Sequence, residues 1–126
     1  YYTESMGAPL FRRFYLYPPG FPIETLAQVK QRTNALEEEA ARTLDMGMKR
    51  PLNLDPGYLT LSKLVLASTK DHSHRVYLRE GIHAEVTLYY RDKSYRAWPW
   101  TFPDYASDEY IRFFNRARAE IFRRTS

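Results

Sequence analysis

Apolar residues recur every three or four positions between residues 24 and 46, which is the period of one face of an α-helix. The intervening residues are mostly charged or carry amides, so one stripe of this helix faces a core and the rest faces solvent. Gly47 follows and suits the left-handed conformation that ends many helices. We therefore predict a long amphipathic helix over 24–46. Its buried stripe is Leu26, Val29, Thr33, Leu36, Ala40 and Leu44.

A second helical pattern occupies residues 107–124. Ser107 suits the N-cap, and Asp108 and Glu109 suit the positive end of the helix dipole. The apolar stripe of this helix is Tyr110, Ile111, Phe114, Ala117, Ile121 and Phe122. A basic stripe on another side comprises Arg112, Arg116 and Arg123. Such a stripe is a solvated surface or, as the alternative, a contact for an anion or a nucleic acid.

Strand patterns fill the middle of the chain at short spacing. Residues 63–69 include a continuous apolar run, which is typical of a central strand covered on both faces. Further strands follow at 75–78, 82–90 and 94–98, and their short connections predict an antiparallel meander in the 53–98 region. The predicted fold class is α+β, a mainly antiparallel sheet with the two long helices packed on one of its faces.

Two further segments have strand or turn character. The sequence LFRRFYLY at 10–17 is typical of a strand, and the PPGFP that follows it ends any ladder. In NLDPGYL, Pro56 and Gly57 fit the central positions of a type II turn. Asp55 precedes them and can accept a local backbone hydrogen bond, so a turn residue is the first interpretation of this aspartate.

The pairing register of the hairpin around Gly81 decides which side chains share a face. A two-residue turn at Glu80 and Gly81 would oppose apolar and charged residues at every rung. A three-residue loop, Arg79 to Gly81, pairs like with like and gives Gly81 the αL position of a bulged hairpin. It predicts the pairs Leu78–Ile82, Tyr77–His83, Val76–Ala84 and Arg75–Glu85.

The next hairpin turns at Asp92 and Lys93 and continues the same alternation. It pairs Tyr90 with Tyr95 and Tyr89 with Arg96. The predicted core positions of this ribbon are Ile82, Ala84, Val86, Leu88 and Tyr90. The opposite surface, which we call the polar-aromatic face, comprises Arg75, Tyr77, His83, Glu85, Thr87, Tyr89, Arg96 and Trp98.

The histidines of the chain cluster in the segment KDHSHRVYLREGIH. The alternation puts His74 on the face opposite His83 and leaves His72 in a loop, which disfavours a metal centre built from all three. A two-ligand site from His83 and Glu85, two residues apart on one face, stays open as an alternative. No metal site is predicted, and the sequence identifies no cofactor. The chain has no cysteine, which excludes disulfides and thiolate chemistry.

Length and composition limit the classes of protein to which this chain can belong. The 126 residues suit a single domain, 1–126, with one hydrophobic core. The net charge of +4 favours anionic partners, and an aromatic content of 16% provides rings that can stack on a ligand. No run approaches the ~20 apolar residues that a membrane span requires, so we expect a cytoplasmic protein without a membrane partner.

Three hypotheses about function follow. The first is binding of an anionic small molecule, a nucleotide or a phosphorylated metabolite, anchored by Arg75 and Arg96. Its ligand-binding residues are Arg75, Tyr77, His83, Glu85, Tyr89, Arg96 and Trp98. The second is a metal-assisted hydrolase, whose candidate catalytic residues are Asp55, His74, Glu85 and Asp104. The third is a module that contacts RNA or protein through aromatics and the basic stripe, with nucleic acid the less favoured partner.

Four motifs together resemble the uncharacterised prokaryotic family named domain of unknown function 4416. They are NLDPGYL, KLVLASTKDHSHRVYL, GIHAEVTLYY and WPWTFPDY, and the resemblance runs from Tyr1 to about Arg118. The resemblance implies no catalytic residues, and it implies an aromatic where this chain has His83, which favours the acidic candidates and Arg75. Similar proteins carry a strand and a helix before the equivalent of Tyr1. Without them, the strand at 10–17 is an exposed edge that favours a homo-oligomer.

Overall fold

The computed structural model describes residues 23–44 and 54–125. The chain divides into two compact units, Tyr1–Pro56 and Gly57–Ser126. The strand expected at 10–17, the edge it would expose and the helix stop at Gly47 lie outside the described residues. The single-domain interpretation stays a prediction.

The first unit contains the first long helix. A 3-10 turn at Ile23–Thr25 leads into α1, Leu26–Leu44, as the apolar period predicted. Leu26 and Ala27 are buried in its first turn. Glu37 accepts a hydrogen bond from the amide of Leu54, which ties the middle of the helix to the segment before the sheet. The packing of α1 against the sheet stays a prediction.

The second unit contains an open sheet of five antiparallel strands. Their bounds are β1 Gly57–Leu59, β2 Lys63–Ser68, β3 Arg75–Arg79, β4 Ile82–Arg91 and β5 Ser94–Ala97. β4 is the central strand: β2 pairs along one edge, while β3 and β5 share the other edge end to end. The α+β class with an antiparallel sheet is confirmed. The order departs from a simple meander at one connection, because β2 pairs with β4 and not with β3.

The second helix, α2, spans Asp108–Thr125 and packs on the sheet as predicted. Ser107 caps it, because its hydroxyl accepts a hydrogen bond from the amide of Tyr110 at 3.3 Å. The guanidinium of Arg118 lies 3.5 Å from the centre of the Tyr90 ring. Burial raises the pKa of Tyr95, the partner of Tyr90 on β5, to about 12, against the opposing effect of Arg118.

The hairpin between β3 and β4 differs from its predicted form. Its turn has two residues, Glu80 and Gly81, with φ of 52° and 82°, as in a type I′ turn. The extra residue that we placed in the loop instead forms a bulge in β3, so Arg79 and not Leu78 pairs with Ile82. Beyond the bulge, the predicted pairs Tyr77–His83, Val76–Ala84 and Arg75–Glu85 are confirmed. The turn at Asp92 and Lys93 and its pairs are also confirmed.

Gly57 begins β1 and is not the corner of a type II turn. Among the described glycines only Gly81 has a positive φ, whereas a type II turn requires one at its third residue. A Cβ on Gly57 would collide with the carbonyl oxygen of Val65 and would approach Cδ2 of Leu66 to 2.7 Å. The glycine therefore permits close approach of β1 to β2.

Substituting Gly57 should consequently weaken the sheet. We expect Gly57→Ala to lower the free energy of unfolding by about 1–3 kcal/mol, because the added methyl group forces the two strands apart. Urea denaturation followed by circular dichroism measures this. Thr69→Ala, an exposed position in the same unit, is the control and should change stability by less than ~0.5 kcal/mol. Equal stability of the two variants would contradict the interpretation.

A second bulge divides the faces of the sheet. Leu64 pairs with Leu88 but Val65 pairs with Val86, so Thr87 is an extra residue in β4 and reverses its alternation. One surface, which we call the lysine face, comprises Lys63, Val65, Ala67, Val76, Ala84, Val86, Tyr89 and Arg96. The other, the carboxylate face, comprises Leu64, Leu66, Ser68, Arg75, Tyr77, His83, Glu85 and Leu88.

The prediction of one polar-aromatic face is therefore wrong. Its members on β3 and the first half of β4 lie on the carboxylate face, whereas Tyr89 and Arg96 lie on the lysine face. Burial agrees: Glu85 is 4% exposed, while Val86, which we assigned to the core, is 36% exposed. The prediction was wrong because it assumed an unbroken alternation along β4, whereas the bulge at Thr87 reverses it. Ile82 and Leu88 are buried as predicted.

Candidate functional site

Glu85 is the centre of a buried polar cluster on the carboxylate face. Its Oε1 accepts a hydrogen bond from Nε of Arg75 at 2.9 Å and lies 3.0 Å from Nε2 of His74. Its Oε2 accepts a hydrogen bond from the hydroxyl of Thr87 at 3.0 Å. Both carboxylate oxygens therefore have partners within the protein. The cluster fixes the start of β3 against the middle of β4.

Hydrogen bonds hold the Arg75 guanidinium in the same cluster. The side chains of Arg75 and Glu85 are each 5% exposed. Nη1 of Arg75 also donates to the hydroxyl of Ser68 at 2.9 Å and to the carbonyl of Lys70 at 3.1 Å. Arg75 and Glu85, which the predicted register pairs, thus form a buried cross-strand ion pair. An incoming anion would have to compete with the Glu85 carboxylate for this guanidinium.

Of the three histidines, His74 does not lie where the alternation placed it, whereas His83 pairs with Tyr77 as predicted. His74 was assigned to the face opposite Glu85, which is wrong, because β3 begins at Arg75 and the strand rule does not extend to the preceding residue. His83 is 8% exposed, with Nε2 3.5 Å from an Asp71 carboxylate oxygen and Nδ1 buried without a hydrogen-bond partner. The edge of the Tyr77 ring packs against it.

The remaining acidic candidates are Asp104 and Asp55. Asp104 precedes α2, where its carboxylate accepts a hydrogen bond from the amide of Tyr105 at 2.7 Å. Asp55 is an exposed residue of the first unit. Within residues 23–44 and 54–125, no three His, Asp or Glu side chains are grouped to hold a metal ion. Of the four hydrolase candidates, His74 and Glu85 are in contact within the cluster, and a catalytic role for any of the four stays a prediction.

A stack of rings fills the gap between β3 and β5 on the edge of β4. Neighbouring ring centroids are 4.2 to 5.6 Å apart along Tyr89, Trp98, Trp100, His74 and His72. Polar groups of the same loop occupy the gap: the Trp100 indole donates to the carbonyl of Val86, and the Thr101 hydroxyl donates to the carbonyl of Thr87. The stack thus satisfies backbone groups that neither neighbouring strand reaches.

Two cations flank Tyr89 on the lysine face. Lys63 of β2 and Arg96 of β5 are the direct partners of Tyr89 on either side, and we call these three residues the cation row. Directly paired side chains have Cβ atoms about 5 Å apart, so one small ligand can contact all three. Trp98 lies against one side of the tyrosine ring.

Neither cation of the row has a carboxylate partner among the residues that the structure describes. The Lys63 ammonium donates to the hydroxyl of Ser62, and Arg96 donates to the carbonyls of Arg91 and Asp92 in the adjacent turn. Two positive charges that no described carboxylate pairs with, together with a tyrosine hydroxyl, can coordinate an anionic group.

Sequence reasoning missed Lys63 and Thr101. Lys63 opens a strand that was correctly predicted, but its partner strand was not known, so its place beside Tyr89 could not be found. Thr101 follows the two tryptophans in WPWT, and no local pattern shows that its hydroxyl reaches the carbonyl of Thr87.

Comparison with known proteins gives one match. Residues 1–121 match the family described as Domain of unknown function (DUF4416). No curated protein and no solved structure matches the chain. In the described residues, no helix has the length and apolar character needed to cross a membrane.

Proposed function

We propose, for a chain that belongs to the DUF4416 family, that the cation row binds an anionic small molecule, a nucleotide or a phosphorylated metabolite. The observation that carries the proposal is the placement of Lys63 and Arg96 on either side of Tyr89 without a carboxylate partner among the described residues. We assign the second anchoring cation to Lys63 and not to Arg75, because Arg75 already forms an ion pair with Glu85.

Phosphate is the anionic group that suits this row best. A phosphoryl oxygen can accept hydrogen bonds from ammonium, guanidinium and phenol donors at once, and each charge-assisted bond is stronger than a neutral one. The Tyr89 and Trp98 rings supply an aromatic wall beside it, against which a nucleobase or another planar group can pack. We place this binding in the cytoplasm, where nucleotides and phosphorylated metabolites are dissolved.

Calorimetric titration of the full chain with AMP, ATP and glucose 6-phosphate at low salt tests the proposal. Adenosine and glucose are the uncharged comparisons. We expect binding of at least one phosphorylated probe and a loss of roughly tenfold or more in its affinity in Arg96→Ala, because a charge-assisted contact contributes about 1.5–3 kcal/mol. Added salt should weaken binding, since the cation row is only partly buried.

Arg112→Ala provides the matched control. It removes the same charge from an exposed position on α2, which packs on the Tyr90 side of the sheet and not on the lysine face. The control should bind like the wild type. Equal losses in the two variants would reduce the effect to net charge, and tight binding of adenosine in place of AMP would contradict an anion site.

A further inference from the structure

An exposed apolar strip continues from the cation row along the lysine face. Beyond Tyr89, the next side chains of β4 on this face are Val86 and Ala84, and Val76 of β3 pairs with Ala84. Val86 is 36% exposed and Val76 is 69% exposed. We call Val86, Ala84 and Val76 the apolar strip. None of its residues carries a charge, so the face changes from cationic to apolar along one strand.

The strip is about as wide and as long as one extended alkyl chain. On its β2 side, the lysine face is formed by Val65 and Ala67, which are only 2% and 6% exposed. The exposed apolar surface is therefore confined to β4 and β3, and neighbouring strands are about 4.8 Å apart. From Tyr89 to Ala84 the strand runs for about 16 Å at its usual rise per residue, which is similar to an extended dodecyl chain.

Single exposed apolar side chains on a protein surface need no explanation, but this arrangement is more specific. The strip begins beside Tyr89, which Lys63 of β2 and Arg96 of β5 flank without a carboxylate partner among the described residues. Along β4, the side chains on this face then change from the aromatic Tyr89 to the apolar Val86 and Ala84. The indole of Trp100, which is 38% exposed, donates to the carbonyl of Val86 and so lies beside the strip. An elongated molecule with an anionic head and an apolar tail complements both parts.

We infer that the ligand of the cation row is a single-chain anionic amphiphile, such as an alkyl phosphate, whose head lies between Lys63 and Arg96 and whose tail lies along the apolar strip. This inference rests on the proposed function and specifies its ligand class. A dissolved molecule is the occupant, because the strip is too narrow for the many chains that a bilayer would present. Burial of the tail adds affinity that a short phosphate cannot gain.

Titration calorimetry of the full chain with butyl phosphate and with dodecyl phosphate, below its micellar concentration, tests the inference. We expect dodecyl phosphate to bind at least roughly tenfold more tightly than butyl phosphate to the wild type. In the double variant Val76→Thr and Val86→Thr, the ratio of the affinity for dodecyl phosphate to that for butyl phosphate should fall towards one. The affinity for butyl phosphate itself should be unchanged. Threonine is β-branched like valine, so the strands should persist.

Two comparisons make the result specific. Leu36→Thr removes an exposed apolar residue of α1, 47% exposed, and should keep the full preference for the longer chain. Arg96→Ala should weaken both probes. Equal affinity of the two phosphates for the wild type would overturn the amphiphile inference and leave the proposed function standing, whereas binding of neither would overturn both. A dodecyl preference that survives in the double variant would overturn the placement of the tail.

Sedimentation with phosphatidylglycerol vesicles distinguishes binding to a membrane surface from binding of a dissolved amphiphile. The inference expects binding of the dissolved amphiphile with little sedimentation of the protein. Strong sedimentation without binding of dissolved dodecyl phosphate would overturn it.

Discussion

Replacing Glu85 with glutamine is expected to lower the free energy of unfolding by about 3–5 kcal/mol, which is enough to unfold a marginal domain. The substitution keeps the size of the side chain and removes its charge. Arg75, whose side chain is 5% exposed, would then be a buried cation without a counter-charge. His74 and Thr87 would lose a charged acceptor at the same time.

Chemical denaturation with tryptophan fluorescence measures this loss, because Trp100 stacks on His74 beside the cluster. Glu80→Gln is the matched control: Glu80 is an exposed acid in the turn of the same hairpin, and its substitution should change stability by less than ~0.5 kcal/mol. Replacing both members of the pair, as in Arg75→Met with Glu85→Leu, should restore much of the lost stability. A folded and fully stable Glu85→Gln protein would show that the ion pair is not a buried structural element.

The second large effect on stability is expected at Leu88 of β4 and not at Val86, two residues earlier on the same strand. Leu88→Ala is expected to cost about 2–5 kcal/mol, because the leucine is 0% exposed and its loss leaves a cavity in the core. Val86→Ala should cost less than ~1 kcal/mol, since the valine is 36% exposed and lies on the lysine face.

The comparison of these two variants tests the bulge at Thr87. An unbroken alternation would place both side chains on the same face, and both truncations would then be costly. The observed register places them on opposite faces. Equal and large losses of stability in the two variants would contradict the pleat reversal and, with it, the division of the sheet into a lysine face and a carboxylate face.

Local sequence rules predicted most of the elements, and non-local pairing explains the errors. The helix α2 and its cap at Ser107, and the rungs beyond the bulge in β3, follow from periodicity and turn chemistry that act within a few residues. The two bulges shift register by a single residue, at Thr87 and near Leu78. No residue type marks either position, because nearly every residue can occupy a bulge.

The candidate site was predicted only in part for the same reason. The Tyr89–Arg96 pair depends on a tight turn at Asp92 and Lys93 and was found from the sequence. The third member of the cation row, Lys63, comes from a strand whose partner is separated from it by the whole of β3. The Arg75–Glu85 pair is buried and has further contacts with His74, Ser68 and the carbonyl of Lys70, which strand pairing alone does not predict.

Mapping of amide chemical shifts tests whether an anion binds at the cation row. The ¹H–¹⁵N spectrum of the labelled full chain would be titrated with AMP, butyl phosphate and dodecyl phosphate. We expect shifts at Lys63, Tyr89 and Arg96 and at the Trp98 indole with all three probes, and at Val86 and Val76 only with dodecyl phosphate. Shifts centred on Arg75 and Glu85, or no shifts with any of the three probes, would contradict it.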